Sequence, residues 1–524
     1  MVEQLMQARE YQLNAAKEVL EKGNSLVIMP TALGKTFVAA LVAKELLAKQ
    51  PSKKILFLAP TKPLALQQAN RLRELLALPE NGACVITGEI PPQERKRIYG
   101  DAQVKVISAT SQTIENDFPV FREISLSNFS LVVFDEAHRA VGDYAYTAVA
   151  REAQKHSGVL LLGLTASPGA DEEKIREICE HLAIRHVVVK QETDEDVSAY
   201  VQKIDVDWKG AELPSEMKLL REQLNQLASE PYEFLRKLAF LGLTAGKPNK
   251  TQLLVARTRM MASQNPARFR ALSLLARLMN LLHAIDLLES QGVNALKNYL
   301  LNLEVRKAES KAVKALAEDG RVKKLLEECE KLVLVGIDHP KMDFLQQYLK
   351  DRVPLGKSMI VFAHYRDSVK NIFDKVSAAG ISCKVLVGKS GEGMSQKKQA
   401  EVVQEFRDKL FPVLISTSIG EEGLDIPAVD AVIFYDTVPS EVRLIQRRGR
   451  TGRVRAGEAI ILYTKDTKDE AYHWSSRYKE KKMHELVGDL REKMLSEQEN
   501  EGKDSSGEKS VLSKKEGQKK IGEF

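Results

Sequence analysis

Two stretches of the chain alternate short apolar runs with helical patterns, and the stretch between them is helical throughout. In the first, Ser25 to Met29, Lys54 to Pro60, Val104 to Thr110, Leu131 to Asp135 and Val159 to Thr165 are continuous Val, Ile, Leu and Phe-rich runs with little polar alternation. That is the pattern of strands covered on both faces, and the helical spacing between them predicts a parallel sheet with crossover helices. The alternation resumes at Ser358 to Phe362 and continues through Lys384 to Val387, Val413 to Ser416, Ala431 to Tyr435 and Ala459 to Tyr463. From about Pro214 to His339, Leu, Ala, Lys, Arg and Glu recur at helical spacing, as in Phe269 to Leu288, which predicts an inserted all-helical domain. After Thr464 the chain becomes a charged helical stretch, and from about Gln498 it offers almost nothing to bury. The expected division is a first α/β lobe at 1–205, the helical insertion at 206–340, a second α/β lobe at 341–470, and a charged helix with a disordered linker tail at 471–524.

Composition narrows the class without naming a chemistry. A chain of 524 residues exceeds one hydrophobic core, and 44% hydrophobic with 29% charged residues fits a water-soluble protein. No apolar run is expected to reach the roughly 20 residues of a bilayer span, and no signal-peptide pattern opens the chain, so a cytoplasmic, nucleoid-associated protein without a membrane partner is expected. Cys84, Cys179, Cys329 and Cys383 are scattered without C-x-x-C spacing, which predicts packed thiols and neither a zinc site nor a disulfide frame. The net charge of +6 permits nucleic-acid binding and does not establish it.

The chemistry lies at strand ends. The apolar run ending at Met29 leads into Pro30-Thr31-Ala32-Leu33-Gly34-Lys35-Thr36 and then a helical pattern, which is the strand, loop and helix setting of a phosphate-binding loop. Thr31, Ala32, Leu33 and Gly34 would turn backbone N–H groups to the phosphates, Lys35 would supply a point charge, and the Thr36 hydroxyl would ligate Mg²⁺. Met29 and Ala32 depart from the glycines usual in such loops. About 100 residues later the strand Leu131 to Asp135 ends on adjacent carboxylates, Asp135 suited to the metal and Glu136 to accepting a proton from the attacking water. Together these predict a Mg²⁺-dependent nucleoside triphosphatase, which the resemblance below makes an ATPase.

With Asp135-Glu136-Ala137-His138, Thr165-Ala166-Ser167 and Gln446-Arg447-Arg448-Gly449-Arg450-Thr451-Gly452-Arg453, the chain resembles a superfamily 2 helicase from about Arg9 to Tyr463. Arg9-Glu10-Tyr11-Gln12, Ala59-Pro60-Thr61-Lys62, Thr87-Gly88-Glu89 and Ser416 to Pro427 are further matches, in the family's order. The long insertion, with Met394 to Gln399 and Phe406-Arg407, is similar to the Hef, FANCM and Dicer/RIG-I-like branch, archaeal Hef above all. The fold implied is two RecA-like parallel-sheet P-loop lobes of α/β class with an all-helical domain between them.

The resemblance also implies roles. Arg9, Gln12, Gly423 and Asp425 would contact the nucleotide, and Gln446, Arg450 and Arg453 would reach its γ-phosphate from the second lobe when the lobes close. Nucleic acid would be held by Thr61, Lys62, Thr87, Gly88, Thr110 and Gln112 in the first lobe and by His364, Arg366, Gly388 and Thr417 in the second, through contacts that carry little base information. The insertion carries Lys247, Lys250, Arg257, Arg259, Arg268, Arg270, Arg277, Lys323 and Lys324, suited to a second duplex arm. Relatives of the Hef type add a nuclease domain with Gly-Asp and Glu-Arg-Lys. Glu94-Arg95-Lys96 lacks the upstream Gly-Asp and is expected to be a charged helix start, leaving a downstream nuclease domain or a protein partner to the tail. The expected function is an ATP-dependent motor on forked or branched DNA in fork processing and repair. The alternatives are a double-stranded-RNA-stimulated ATPase and a nucleotide-gated scaffold.

Overall fold

Seven strands build the first sheet: β1 (Ser25–Ile28), β2 (Lys54–Ala59), β3 (Ala83–Ile86), β4 (Val106–Thr110), β5 (Phe129–Asp135), β6 (Leu160–Thr165) and β7 (His186–Val189). All pair in parallel in the order β3-β4-β2-β5-β6-β1-β7. The chain's computed structural model describes residues 8–30, 33–120, 125–169, 171–200, 205–238, 242–243, 250–388, 393–417, 426–436 and 457–475, with 478, 481–483, 485–486 and 489. The second sheet joins β8 (Asp205–Ala211), β9 (Met359–Phe362), β10 (Cys383–Leu386), β11 (Val413–Ser416), β12 (Ala431–Phe434) and β13 (Glu458–Thr464), also parallel, in the order β10-β11-β9-β12-β13-β8. The two α/β lobes and the helical domain between them are thus present.

Period-two geometry sorts each central strand onto two cores. Along β5, Val132 and Phe134 enter one apolar cluster, whereas Leu131 and Val133 enter the other, with Val38, Ala39, Val42 and Ala43 of the helix Lys35–Lys49. Asp135 has the parity of Leu131 and Val133, so strand geometry alone aims it toward the phosphate-loop helix. The second lobe divides likewise, Val361 and Ile433 on one face and Ile360 and Val432 on the other.

Residues 205–211, counted with the insertion in the expected division, form β8, the edge strand of the second sheet. Beyond it the helices Ser215–Arg236, Lys250–Ala262, Arg268–Gln291, Val293–Val305, Lys311–Ala317 and Gly320–Leu334 share one apolar core. By length and composition Arg268–Gln291 is apolar enough to cross a membrane, contrary to the expectation that no such run exists. It contains Arg270 and Arg277, and its apolar face, from Ala271 through Leu288, is buried in the bundle, so it is read as a core helix. The four cysteines are free thiols. Glu94-Arg95-Lys96 lies in the helix Pro92–Gly100, where Arg95 grips the buried Asp117 carboxylate at 2.5 and 2.9 Å and Tyr99 donates to it. This supports the reading of the tripeptide as structural.

A buried polar joint fixes the insertion to the second lobe. His339 caps the helix Pro340–Arg352 by accepting from the Lys341 N–H, and its Nε2 donates to the Glu289 carbonyl at 2.9 Å. Thr464 Oγ1 donates to the same carbonyl, and fully buried Lys341 pairs with Asp469 at 2.8 Å. Gly292 takes φ +95° beside it, where a Cβ would lie 3.0 Å from that of His339, so glycine alone suits the crossing. Burial, with the positive charge of Lys341, lowers the His339 pKa to about 3.

That depression has a predictable consequence. Between pH 6.5 and 3 the unfolded chain holds a proton on His339 that the folded chain excludes, so the stability contribution is complete above 6.5 and declines as pH falls. Both tryptophans, Trp208 on β8 and Trp474, belong to the second-lobe part of the chain and report its unfolding. The loss of stability from pH 7 to 5, read by denaturant titration of tryptophan fluorescence, is expected to be smaller in His339→Gln by about 2 kcal/mol. Equal losses in both proteins would contradict the buried neutral imidazole.

Candidate nucleotide and nucleic-acid site

The order of the first sheet separates two sets of candidates along one edge. Strands β1, β5 and β6 end at the phosphate loop, at Asp135 and Glu136, and at Thr165-Ala166-Ser167, whereas β2, β3 and β4 end at Thr61 and Lys62, at Thr87 and Gly88, and at Thr110 and Gln112. In the second sheet β9, β10 and β11 lead to His364 and Arg366, to Gly388 and to Thr417. Ligands bind at the carboxyl ends of strands in open parallel sheets, and each predicted group lies there.

Thr31 and Ala32 lie outside the described residues; Leu33, Gly34, Lys35 and Thr36 are within them. Gly34 is the N-cap of Lys35–Lys49 with φ +85°, and a Cβ there would meet Gln12 Nε2 at 2.5 Å. Lys35 Nζ donates to the Met29 carbonyl at 3.1 Å, so the residue that departs from the usual glycine serves through its backbone. Gln12 Nε2 and Tyr11 Oη donate to the Leu33 carbonyl at 2.8 and 2.9 Å, while Gln12 Oε1 accepts from the Arg9 N–H at 3.0 Å. Gln12 therefore braces the loop from below. The Arg9 guanidinium lies 4.4 Å from the Tyr200 ring centroid, a cation–π contact.

At the end of β5 the two carboxylates part company. Asp135, 7% exposed, has its pKa pushed up to about 7 by burial and by the Glu136 charge, with Lys35 opposing. Glu136 is held below the usual carboxylate range despite its burial, through His138, Lys35 and Arg139. Its carboxylate lies 3.3 Å from His138 Nδ1, which also lies 3.2 Å from Thr165 Oγ1. The Glu136 backbone is left-handed, φ 52° and ψ 51°, a conformation costing a non-glycine residue roughly 1–2 kcal/mol. Such strain concentrates at functional positions. One ionised carboxylate beside one that favours its proton suits a base next to a group awaiting a cation.

Two partners of Asp135 carry no motif signature. Tyr146 Oη donates to its carbonyl at 2.6 Å, and Gln68 Nε2 donates to Oδ2 at 3.2 Å. Gln68 belongs to the helix Lys62–Leu75, whose N-cap is Thr61 and whose first residue is Lys62. The nucleic-acid half of the edge thus touches the nucleotide half through one side chain.

Among the nucleic-acid candidates, Thr61 Oγ1 is buried without a hydrogen-bond partner among the described residues, and Lys62 is ion-paired with Glu89. Thr110 Oγ1 bonds Thr113 Oγ1 at 2.9 Å, Gln112 and Gly88 are exposed, and Thr87 and Thr417 are buried. Arg366 Nη2 donates to the Gly388 carbonyl at 2.8 Å, joining two candidates, and exposed His364 donates its N–H to Asp436 at 2.7 Å. Gly423, Asp425, Gln446, Arg450 and Arg453 lie outside the described residues. In the insertion Arg277 is paired with Asp319 at 2.7 Å, and Arg268 and Arg270 lie 4.7 and 4.6 Å from the rings of Phe269 and Phe234.

Family models match in the same order. Residues 9–175 match "DEAD/DEAH box helicase", 216–333 "Putative ATP-dependent RNA helicase, helical bundle" and 340–455 "Helicase conserved C-terminal domain". The Pyrococcus furiosus Hef helicase domain is 41% identical with a TM-score of 0.70, the match covering 90% of this chain and 99% of that one. A Methanocaldococcus jannaschii protein named "Putative ATP-dependent RNA helicase" is 37% identical over 93% of this chain and 61% of its own length. The Neurospora crassa ATP-dependent DNA helicase mph1 is 33% identical over 89% of this chain and 42% of its own. The chain thus spans about two fifths to three fifths of these curated relatives. It belongs to the superfamily 2 helicases of the Hef and FANCM type.

Proposed function

We propose that the chain is an ATP- and Mg²⁺-dependent DNA helicase or translocase acting on forked or branched DNA in fork and junction processing and repair. The observation that carries this reading is the shared sheet edge, where nucleotide groups on β1, β5 and β6 adjoin nucleic-acid groups on β2, β3 and β4 and are joined by Gln68 and Asp135. The Neurospora crassa relative named an ATP-dependent DNA helicase supports the substrate.

Lys35 and the N-terminal turn of its helix hold the phosphates, with Gln12 fixing the loop's backbone at Leu33. Thr36 and Asp135 are the groups for Mg²⁺. Among the described residues no cluster of three His, Cys, Asp or Glu side chains holds a metal by itself, which suits an ion that takes its other ligands from phosphate oxygens and water. The donor set fits, because Asp135 carries a buried carboxyl whose raised pKa a cation would relieve. When bound, that ion neutralises charge on the transferred phosphoryl group. Glu136 takes the proton of the attacking water, and Arg450 and Arg453, with Gln446, complete the site from the second lobe on closure. His364, Arg366, Gly388 and Thr417 follow that closure because they ride on the same sheet, so each cycle shifts the grip along a strand.

An RNA substrate is favoured by the match of the helical bundle to a model named for an RNA helicase, together with the archaeal relative so named. ATP hydrolysis measured against single strands, duplexes, forks and four-way junctions, each in DNA and RNA, separates the readings. Greatest stimulation by forked DNA is expected, and preference for RNA duplex would replace the proposal with its rival.

Two substitutions test the chemistry. Glu136→Gln is expected to lower kcat by about 10²- to 10⁴-fold with ATP binding retained, in the range of a lost general base. Phosphate release at the normal rate would remove Glu136 from that role. Gln68→Ala, which deletes a hydrogen bond of roughly 1 kcal/mol to Asp135, is expected to lower the stimulation ratio by forked DNA roughly fivefold while KM for ATP stays within about twofold. An unchanged ratio in a steady-state assay would show that the two halves communicate elsewhere.

A further inference from the structure

The chain leaves the second lobe after β13 and is held there again at His473, whose ring stacks on Tyr463 with centroids 5.0 Å apart and lies 4.0 Å from Trp208. Ten residues later it is anchored in the other lobe. Met483 is 4% exposed, belongs to the first-lobe apolar cluster that includes Leu26, Ile28 and Ile184, and accepts a hydrogen bond from Ser167 Oγ at 2.8 Å across 316 positions of sequence. Thioether sulfur is a weak acceptor on a pliable side chain, suited to seating a hydroxyl in an apolar setting.

Ser167 is not peripheral. Its N–H donates to Thr165 Oγ1 at 3.2 Å, and its carbonyl accepts from that hydroxyl at 3.0 Å. Because the Thr165 proton points to Ser167, Thr165 Oγ1 is left to accept from a Nδ1-protonated His138 at 3.2 Å, and the same ring nitrogen lies 3.3 Å from Glu136 Oε2. Glu136 sits on a left-handed backbone, so its relaxed conformation does not set where its carboxylate points. The neighbours must.

We propose that Met483 is a positioning residue for ATP hydrolysis, delivered from beyond the second lobe to seat Ser167 and, through Thr165 and His138, to hold the Glu136 carboxylate. His473 and Met483 are ten residues apart in the sequence and lie on different lobes, so movement between the lobes is felt at the strand end that faces the nucleotide. The proposal rests on the reading of Glu136 as the base.

The test uses the full chain and the single-turnover rate constant for cleavage of bound ATP, which does not depend on the fraction of active protein. Met483→Leu keeps the apolar volume and removes the acceptor; Met483→Ala removes both. Rate constants are expected to fall about threefold and tenfold respectively, with ATP affinity within twofold of the parent. Ser167→Ala is expected to fall as far as Met483→Ala, and the double variant no further, because both act along one path. Parental cleavage in Met483→Leu, or effects that multiply in the double variant, would overturn the role of Met483. If Glu136→Gln itself cleaves ATP normally, the base assignment fails instead, which keeps the two outcomes apart.

Discussion

Two adjacent carboxylates at the end of a strand buried on both faces repel one another in a setting too dry to screen them. At β5 the repulsion is resolved by asymmetry. His138, Lys35 and Arg139 keep Glu136 ionised, while Asp135 holds its proton toward neutrality, with Gln68 as its hydrogen-bonding partner. The rest of the first lobe maintains that difference: the phosphate-loop helix carries Lys35 to the spot, β6 brings Thr165 beside His138, and Tyr146 ties the Asp135 carbonyl beneath. In the proposed reading a Mg²⁺ ion and a triphosphate would complete the charge balance, and nucleotide binding would favour ionisation of Asp135.

The division of the sheet edge turns this local electrostatics into mechanics. Helix Lys62–Leu75 begins at nucleic-acid candidates and reaches Asp135 through Gln68, so its position is registered at that buried carboxyl. On the other side, the insertion is joined to the second lobe by Glu289, His339, Thr464, Lys341 and Asp469, with Lys468 paired to Asp286 at 2.5 Å and Arg221 donating to the Asp466 carbonyl. Buried polar joints of this kind tolerate no slippage, because a displaced partner leaves an unpaired charge or donor behind. The second lobe and insertion therefore form one joined unit, and in the proposed cycle closure on nucleotide would carry the helical domain with the lobe.

How far the chain's own pattern foretold this differs by element. Strands β2, β5, β6, β9 and β11 to β13 are long or apolar runs covered on both faces, and their boundaries follow the residues. The edge strands β3, β7 and β8 were not anticipated: Cys84 and Val85 of β3 are half-exposed and Asp207 and Lys209 interrupt β8, because an edge is covered on fewer sides, whereas β7 is buried throughout but only four residues long. The candidate residues at strand ends were legible because phosphate chemistry restricts which residue types can serve there, and the fold places them along one sheet edge. Gln68, Tyr146 and Met483 were not, since an amide on a helix, a phenol and a methionine in a charged stretch have no distinguishing local spacing. Only the fold brings each against Asp135 or Ser167. The helix Arg268–Gln291 was legible as part of the helical insertion from its spacing, although composition by itself cannot tell a bilayer from the interior of a bundle.

Lobe closure driven by nucleotide is the claim on which the mechanism turns. Spin labels on exposed Lys44 of the first lobe and exposed Lys370 of the second, introduced as cysteines in a background without the native four, give the interlobe distance by pulsed electron resonance. The account predicts a shorter and narrower distribution with a non-hydrolysable ATP analogue, Mg²⁺ and forked DNA than with DNA alone, and loss of that shortening in Arg450→Ala. An interlobe distance indifferent to nucleotide in a labelled protein that still hydrolyses ATP would contradict it.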